Sequence, residues 1–285
     1  MKPHKLALIL FLFLAIGQGC AGLDFALQPV QFDDPLLKLG ITKSDPTPEE
    51  LAGIELKFFP SETGVLHSNG TLDLFMQIKD GKGQHARMLL SETETYKSGT
   101  RPNSYVVKTE TNFIRPEGLI VEEAEVTERG EMVRFMKGEH NSKLGHFSIT
   151  DWKRTSEFPD KPVKPKESWR YSEEMSMKLN SRFIKDLNPK PYQINATSVL
   201  TGFAVVKDTR LAVITTRILK SGQEHYKILF QELILDEQEN TEEVTYLDYK
   251  KGKVVAQVTD TQTFTSGVNV PFADESRARL VLTAE

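Results

Sequence analysis

Apolar and polar residues alternate one by one along most of this chain. The clearest stretch is Ser168 to Leu179, where Trp169, Tyr171, Met175, Met177 and Leu179 share one parity, interrupted only by Glu173. Ser168, Arg170, Ser172, Glu174, Ser176 and Lys178 occupy the other. Successive side chains of a strand point to opposite faces, so this pattern predicts a long strand with one greasy and one wet face. A sheet with one wet face is antiparallel as a rule and needs partner strands to cover the other face.

Further strands are predicted on both sides. Upstream they fall at 54–59, 71–78, 85–90, 103–113, 118–126, 131–136 and 145–150, with turn signals at Asp80-Gly81-Lys82-Gly83, Pro116-Glu117-Gly118 and Arg129-Gly130. Downstream they fall at 194–206, 209–219, 225–235, 243–249, 253–264 and 276–284, separated by turns at Lys207-Asp208, Ser221-Gly222, 236–240 and Lys251-Gly252. Residues 180–192 leave room for a helical turn. Thr47-Pro48-Glu49-Glu50 reads as an N-cap, a first-turn proline and two acids, which starts a short helix. The fold class expected is therefore all-β and mainly antiparallel: a curved sheet, half-open barrel or sandwich with one or two short helices, and room for two β lobes.

The first residues follow a different grammar. Lys2, His4 and Lys5 precede an uninterrupted apolar run from Leu6 to Ile16, then Gly17, Gln18 and Gly19. This is the layout of an export signal, and the apolar run is short for a permanent membrane span. Ile16-Gly17-Gln18-Gly19-Cys20 resembles a bacterial lipobox, in which the cysteine becomes an acylated N-terminus; cleavage at Gly19 or Gly22 with Cys20 incidental is the other reading. Several acyl chains give firm attachment, at about 0.8 kcal/mol per buried methylene. Ala21 after the cysteine resembles the enteric pattern for sorting to the outer membrane, facing the periplasm; a secreted or soluble periplasmic protein is the alternative. The organisation expected is a signal peptide over 1–19, a lipidated Cys20 and tether over 20–50 with a helical turn at 35–39, an N-terminal β lobe over 51–157, a Pro- and Lys-rich junction over 158–167 and a C-terminal meander over 168–285.

Composition narrows the function. Of 285 residues, 39% are hydrophobic and 27% charged, which suits a packed globular body. Without Lys2 and Lys5, the 36 Lys and Arg against 40 Asp and Glu become 34 against 40, an acidic balance that argues against a nucleic-acid binder. Cys20 is the only cysteine, which rules out an internal disulfide or a thiolate metal cluster.

The stretch Phe158-Pro159-Asp160-Lys161-Pro162-Val163-Lys164-Pro165-Lys166-Glu167-Ser168-Trp169 resembles a segment of uncharacterised β-rich bacterial envelope lipoproteins. In them a Pro-Val-Lys run leads through a Gly-Asp turn to Ser/Thr-Trp; here Lys166-Glu167 stands at that turn. Tyr246 to Tyr249 and Lys251 to Val255 are similar to their late hairpin. The family implies no chemistry. At the level of architecture the chain resembles the half-open barrels of lipoprotein carriers, which implies an acyl ligand.

Motifs for catalysis are scarce. Gly81-Lys82-Gly83-Gln84-His85-Ala86 spells a dinucleotide fingerprint but lies between strands rather than before a helix. The histidines, His140 and His146 included, lack metal-ligand spacing and are expected at the surface or in hairpins. The acidic stretch 236–240 reads as a solvated hairpin tip. Serine-hydrolase and P-loop signatures are missing. Trp169, Tyr171, Met175, Phe203, Phe230 and Tyr246 are the candidates for lining an apolar groove; filling the core is their alternative role. The function expected is a non-catalytic binding module without cofactor, attached through its N-terminal lipid and taking an apolar or acyl ligand or an envelope protein. The alternatives are a structural assembly component, and an enzyme using Glu173 and His225.

Overall fold

The computed structural model describes residues 39–58, 64–78, 84–114, 117–142, 145–180, 184–186, 190–228, 231–269 and 273–284. The leader, Cys20, the helical turn expected at 35–39, the turn at 80–83 and Phe230 lie wholly or almost wholly outside them. The strands are β1 (Thr42–Ser44), β2 (Val65–Ile78), β3 (Gln84–Ser98), β4 (Ser104–Ile114), β5 (Glu117–Thr127), β6 (Met132–Ser142) and β7 (Gly145–Arg154). They continue with β8 (Ser168–Asn180), β9 (Ile184–Asp186), β10 (Tyr192–Val206), β11 (Thr209–Ile228), β12 (Gln231–Asp248), β13 (Lys253–Gly267) and β14 (Ala273–Ala284). One short helix, α1 (Pro48–Ala52), precedes β2.

All fourteen strands join one antiparallel sheet. β14 pairs with β2, and β8 pairs with β10 as well as with β7, so the sheet closes on itself as a barrel of 12 strands, with β1 and β9 as additions. Closure removes the free edges that an open sheet would expose. The Pro- and Lys-rich segment 158–167 connects β7 to β8, which are paired neighbours, so the two expected lobes are the two halves of one barrel wall. Lys166 there adopts φ 68°, a left-handed conformation that glycine takes without a Cβ penalty.

The alternation read from the sequence sets the two faces. On β8, Tyr171, Glu173 and Met175 are buried, whereas Ser172 is exposed and Glu174 partly so. The inner wall carries several apolar zones, one of them Tyr96, Val107, Ala124 and Val126 on β3 to β5. Leu72, Leu74, Met88, Leu90, Phe113 and Leu280 form a second, and Trp152, Tyr171, Met175, Ile194, Ala196 and Ile218 a third. Outward positions carry charges all round the wall, Arg87, Lys108, Glu123, Arg217, Asp236 and Glu242 among them, with Leu89, Leu219 and Phe264 as exposed apolar residues between. A lipid-facing band is apolar, and a basic residue at its midplane costs roughly 2–4 kcal/mol. Charges at these positions set the outer face apart from a continuous lipid-facing band.

One barrel end is plugged. Residues 54–58 cross it and meet 157–163 through an Ile54–Val163 bridge, with backbone bonds of 3.0 and 2.8 Å, and through the Phe58 and Phe158 rings, 4.4 Å apart. They pack on Leu200, Phe203, Ala212, Ile214 and Leu247. The span 54–59 is expected as a strand, and it forms only this bridge, because its apolar residues serve a barrel end rather than a wall. The chain before the plug packs on the outside. Leu39 and Ile41 cover an apolar patch around Ala204, Leu211, Tyr246 and Ala256, and β1 pairs with the end of β10. The helix expected from Thr47 forms with a full capping box, Thr47 and Glu50 satisfying each other's backbone.

Candidate functional site

The groove residues proposed from the sequence are not gathered in one place. Tyr171 and Met175 belong to the wall around Trp152, Phe203 belongs to the plug, and Trp169 packs against that plug while its Nε1 donates to the Glu157 carbonyl at 2.7 Å. Tyr246 lies on the outside of the barrel under the N-terminal segment. Its parity on β12 is opposite to that of the inward Glu243, Thr245 and Leu247, and the extra residue at this point of the ladder is Val255 on β13, so β12 itself keeps its facing. These side chains fill packed interfaces.

The two residues of the enzyme alternative are also apart. Glu173 is 4% exposed inside the barrel and accepts from Trp152 Nε1 at 2.9 Å. His225 has the outward parity, between buried Glu224 and Tyr226, with its Nε2 3.5 Å from Glu232. His140 departs from the surface expectation: it is 7% exposed and pairs across the sheet with Ile120, on the inner wall.

The notable chemistry sits where the sequence suggests turns. Ser221-Gly222 and 236–240 are not turns; β11 and β12 run straight through them. Ile214, Thr216, Ile218, Lys220 and Glu224 follow one parity, and Leu235, Glu237, Glu239, Thr241 and Glu243 another, so all point inward. Lys220 Nζ reaches Glu237 Oε1 at 2.5 Å and Glu239 Oε2 at 3.4 Å, and lies 4.4 Å from the centre of the Tyr192 ring. The Tyr192 hydroxyl donates to Glu224, and Thr241 donates to Glu239 Oε1 at 3.1 Å. Gly222 is what lets Tyr192 lie there, because a Cβ on it would come within 2.3 Å of the ring.

Electrostatics of this cluster are set by burial. Burial pushes the Glu224 carboxyl up to about 7, the nearby Glu237 adding to the effect and the Tyr192 hydroxyl opposing it. Glu237 is raised by burial, against the pull of Lys220. Burial would lower Lys220, but attraction to Glu237 and Glu239 outweighs it and holds the ammonium above its usual range. Among the described residues no group of acids, histidines or cysteines has the arrangement of a metal site.

A second polar cluster fixes the N-terminal segment at the plugged end. Glu50 accepts from Arg210 Nε and Nη2 at 2.6 and 2.5 Å and from the Tyr249 hydroxyl at 2.8 Å. Burial works to raise its carboxyl, but these donors and the Thr47 N–H overcome it and hold the group down at about 2.

No family model matches this chain, and no curated protein does. Among solved structures, it is similar to Pseudomonas aeruginosa OccK2 (OpdF) in complex with glucuronate, at 7% identity and a TM-score of 0.27, covering 80% of this chain and 99% of that one. Vibrio cholerae OmpT, an outer membrane protein, aligns at 6% identity and a TM-score of 0.25 over 79% of this chain and 100% of that one. Pseudomonas aeruginosa OccK11 (OpdR) aligns at 9% identity and a TM-score of 0.24, over 82% and 99%. The likeness to outer membrane barrels is thus too slight to bear on activity, and the outer face described above differs from a lipid-facing one in its charge.

Proposed function

We propose that this chain is an exported bacterial envelope protein, held to the outer membrane by acylated Cys20, and that it acts without catalysis as a binding or scaffolding barrel that meets a partner protein on its outer face. The observation that carries this reading is the contrast between the two faces of the wall. The inner face is packed with its own side chains: Leu72, Ile218, Leu200, Leu247 and Glu243 are each 0% exposed. That favours a protein partner over an acyl chain inside the barrel. The outer face is charged, so membrane attachment falls to the N-terminus rather than to the strands.

The test is extraction of wild type and Cys20→Ser from a bacterial host. Wild type is expected in the membrane fraction with acyl mass at its N-terminus. Cys20→Ser is expected in the aqueous fraction, with a native mass equal to the polypeptide alone. A lipid co-purifying with Cys20→Ser would overturn the packed-interior reading, and membrane retention of that variant without detergent would overturn the anchor.

A further inference from the structure

Inside the barrel three carboxylates, Glu224, Glu237 and Glu239, share one ammonium, Lys220, and all four side chains belong to residues 9% exposed or less. The described residues that face Glu224 are Lys220 and Tyr226 from β11, Glu237 and Glu239 from β12, and Tyr192 from β10. On β13 the positions paired with Glu237 and Glu239 are Thr265 and Thr263, which do not titrate. Glu237 commits Oε1 to Lys220, and Glu224 commits Oε1 to Tyr192 and is also hydrogen-bonded by the Tyr226 hydroxyl. The Oε2 of each has no hydrogen-bond partner and less than 1 Å² of accessible surface. Water of ordinary size cannot sit against such an atom. An ionised Glu224 beside an ammonium already shared by Glu237 and Glu239 would leave buried charge uncompensated. A proton is the one cation small enough to resolve this without moving the wall.

We propose that Glu224 holds a proton at and below neutral pH, and that the cluster is a proton-operated latch between β11 and β12. Loss of the proton leaves three like charges facing one ammonium and loosens this part of the wall. The direction agrees with the upward displacement of the Glu224 carboxyl, to which burial and the neighbouring Glu237 both contribute. A carboxyl raised in the folded state contributes stability that is complete below its unfolded value of 4.5 and is lost as pH rises through about 7.

Infrared spectroscopy of the whole folded protein reads the proton directly. Wild type at pH 6 should show the carbonyl band of a buried protonated carboxylic acid, and the band should be gone by pH 9. In chemical denaturation, the folding equilibrium constant of wild type should include a component that falls about tenfold per pH unit between pH 5 and 7, one proton's worth. Glu224→Gln should lose most of that component. Absence of the band at pH 6 overturns the proposal. So does a Glu224→Gln variant whose stability falls as steeply as wild type. If that variant does not fold, the wild-type band and its disappearance at pH 9 decide alone.

Discussion

Replacing Glu50 by Gln removes one charge from the clamp between the N-terminal segment and the barrel while keeping the side chain's size. In wild type the carboxylate takes two bonds from the Arg210 guanidinium, one from the Thr47 N–H at 2.8 Å and one from Tyr249. A carboxyl held at about 2 against 4.5 unfolded corresponds to an upper bound of about 3 kcal/mol, at 1.36 kcal/mol per unit. Arg210 is 21% exposed, so water screens part of this, and about 1–3 kcal/mol is expected at pH 7. The sign follows from the lowered value: the contribution is complete above 4.5 and is lost as pH falls towards 2. More than half the gap between wild type and variant should therefore be gone at pH 3. Glu125, held by Ser104, Thr100 and the Arg101 N–H, is also down at about 2 and weakens over the same window, so only the difference between the two proteins is diagnostic. Urea denaturation at pH 7 and pH 3, with limited proteolysis of the 39–58 segment, makes the comparison. A gap below 0.5 kcal/mol at pH 7, or one that is unchanged at pH 3, refutes the reasoning.

Lys220→Met leaves three interior carboxylates without their ammonium and should cost about 3–5 kcal/mol at pH 8, with a smaller cost at pH 5, in parallel urea titrations. Trp152→Phe strips Glu173 of its 2.9 Å donor and should cost about 1.5–3 kcal/mol by thermal denaturation. Lys166→Gly relieves a left-handed lysine; against the entropy that glycine adds to the unfolded chain, a gain of about 0.5 kcal/mol is expected by the same assay.

Much of the wall was legible because strands such as β8 alternate apolar residues inside with polar ones outside. The parity of Trp169, Tyr171 and Met175 carried β8 directly into the structure. The α1 start was legible because capping chemistry is local. Closure was not, because the β8–β10 and β14–β2 pairings join residues whose partners no local pattern names. The charged cluster was hidden for a different reason. Over 236–242 both faces of β12 are polar, Asp236, Gln238, Asn240 and Glu242 outside and Glu237, Glu239 and Thr241 inside, so the alternation that marks a strand disappears and the stretch looks like a solvated turn. The available signal was continuity of parity: Lys220 follows Ile214 and Ile218, and Glu237 follows Leu235. Phe203 and Tyr246 do not share one groove: a bulge at 200–202 changes the facing of β10 and turns Phe203 towards the plug, whereas Tyr246 lies on the outward parity of β12 under the N-terminal segment.

Single cysteines on β12, in a Cys20→Ser background, test the two-faced wall most directly. Gln238 is exposed, and Thr241, 1% exposed, points inward. In detergent-free buffer, Gln238→Cys should react with a water-soluble maleimide as fast as a free thiol, and Thr241→Cys should react only after denaturation. Rapid labelling of Thr241→Cys in the folded protein, or a Gln238→Cys that stays protected until detergent is added, would contradict a barrel that is packed inside and wet outside.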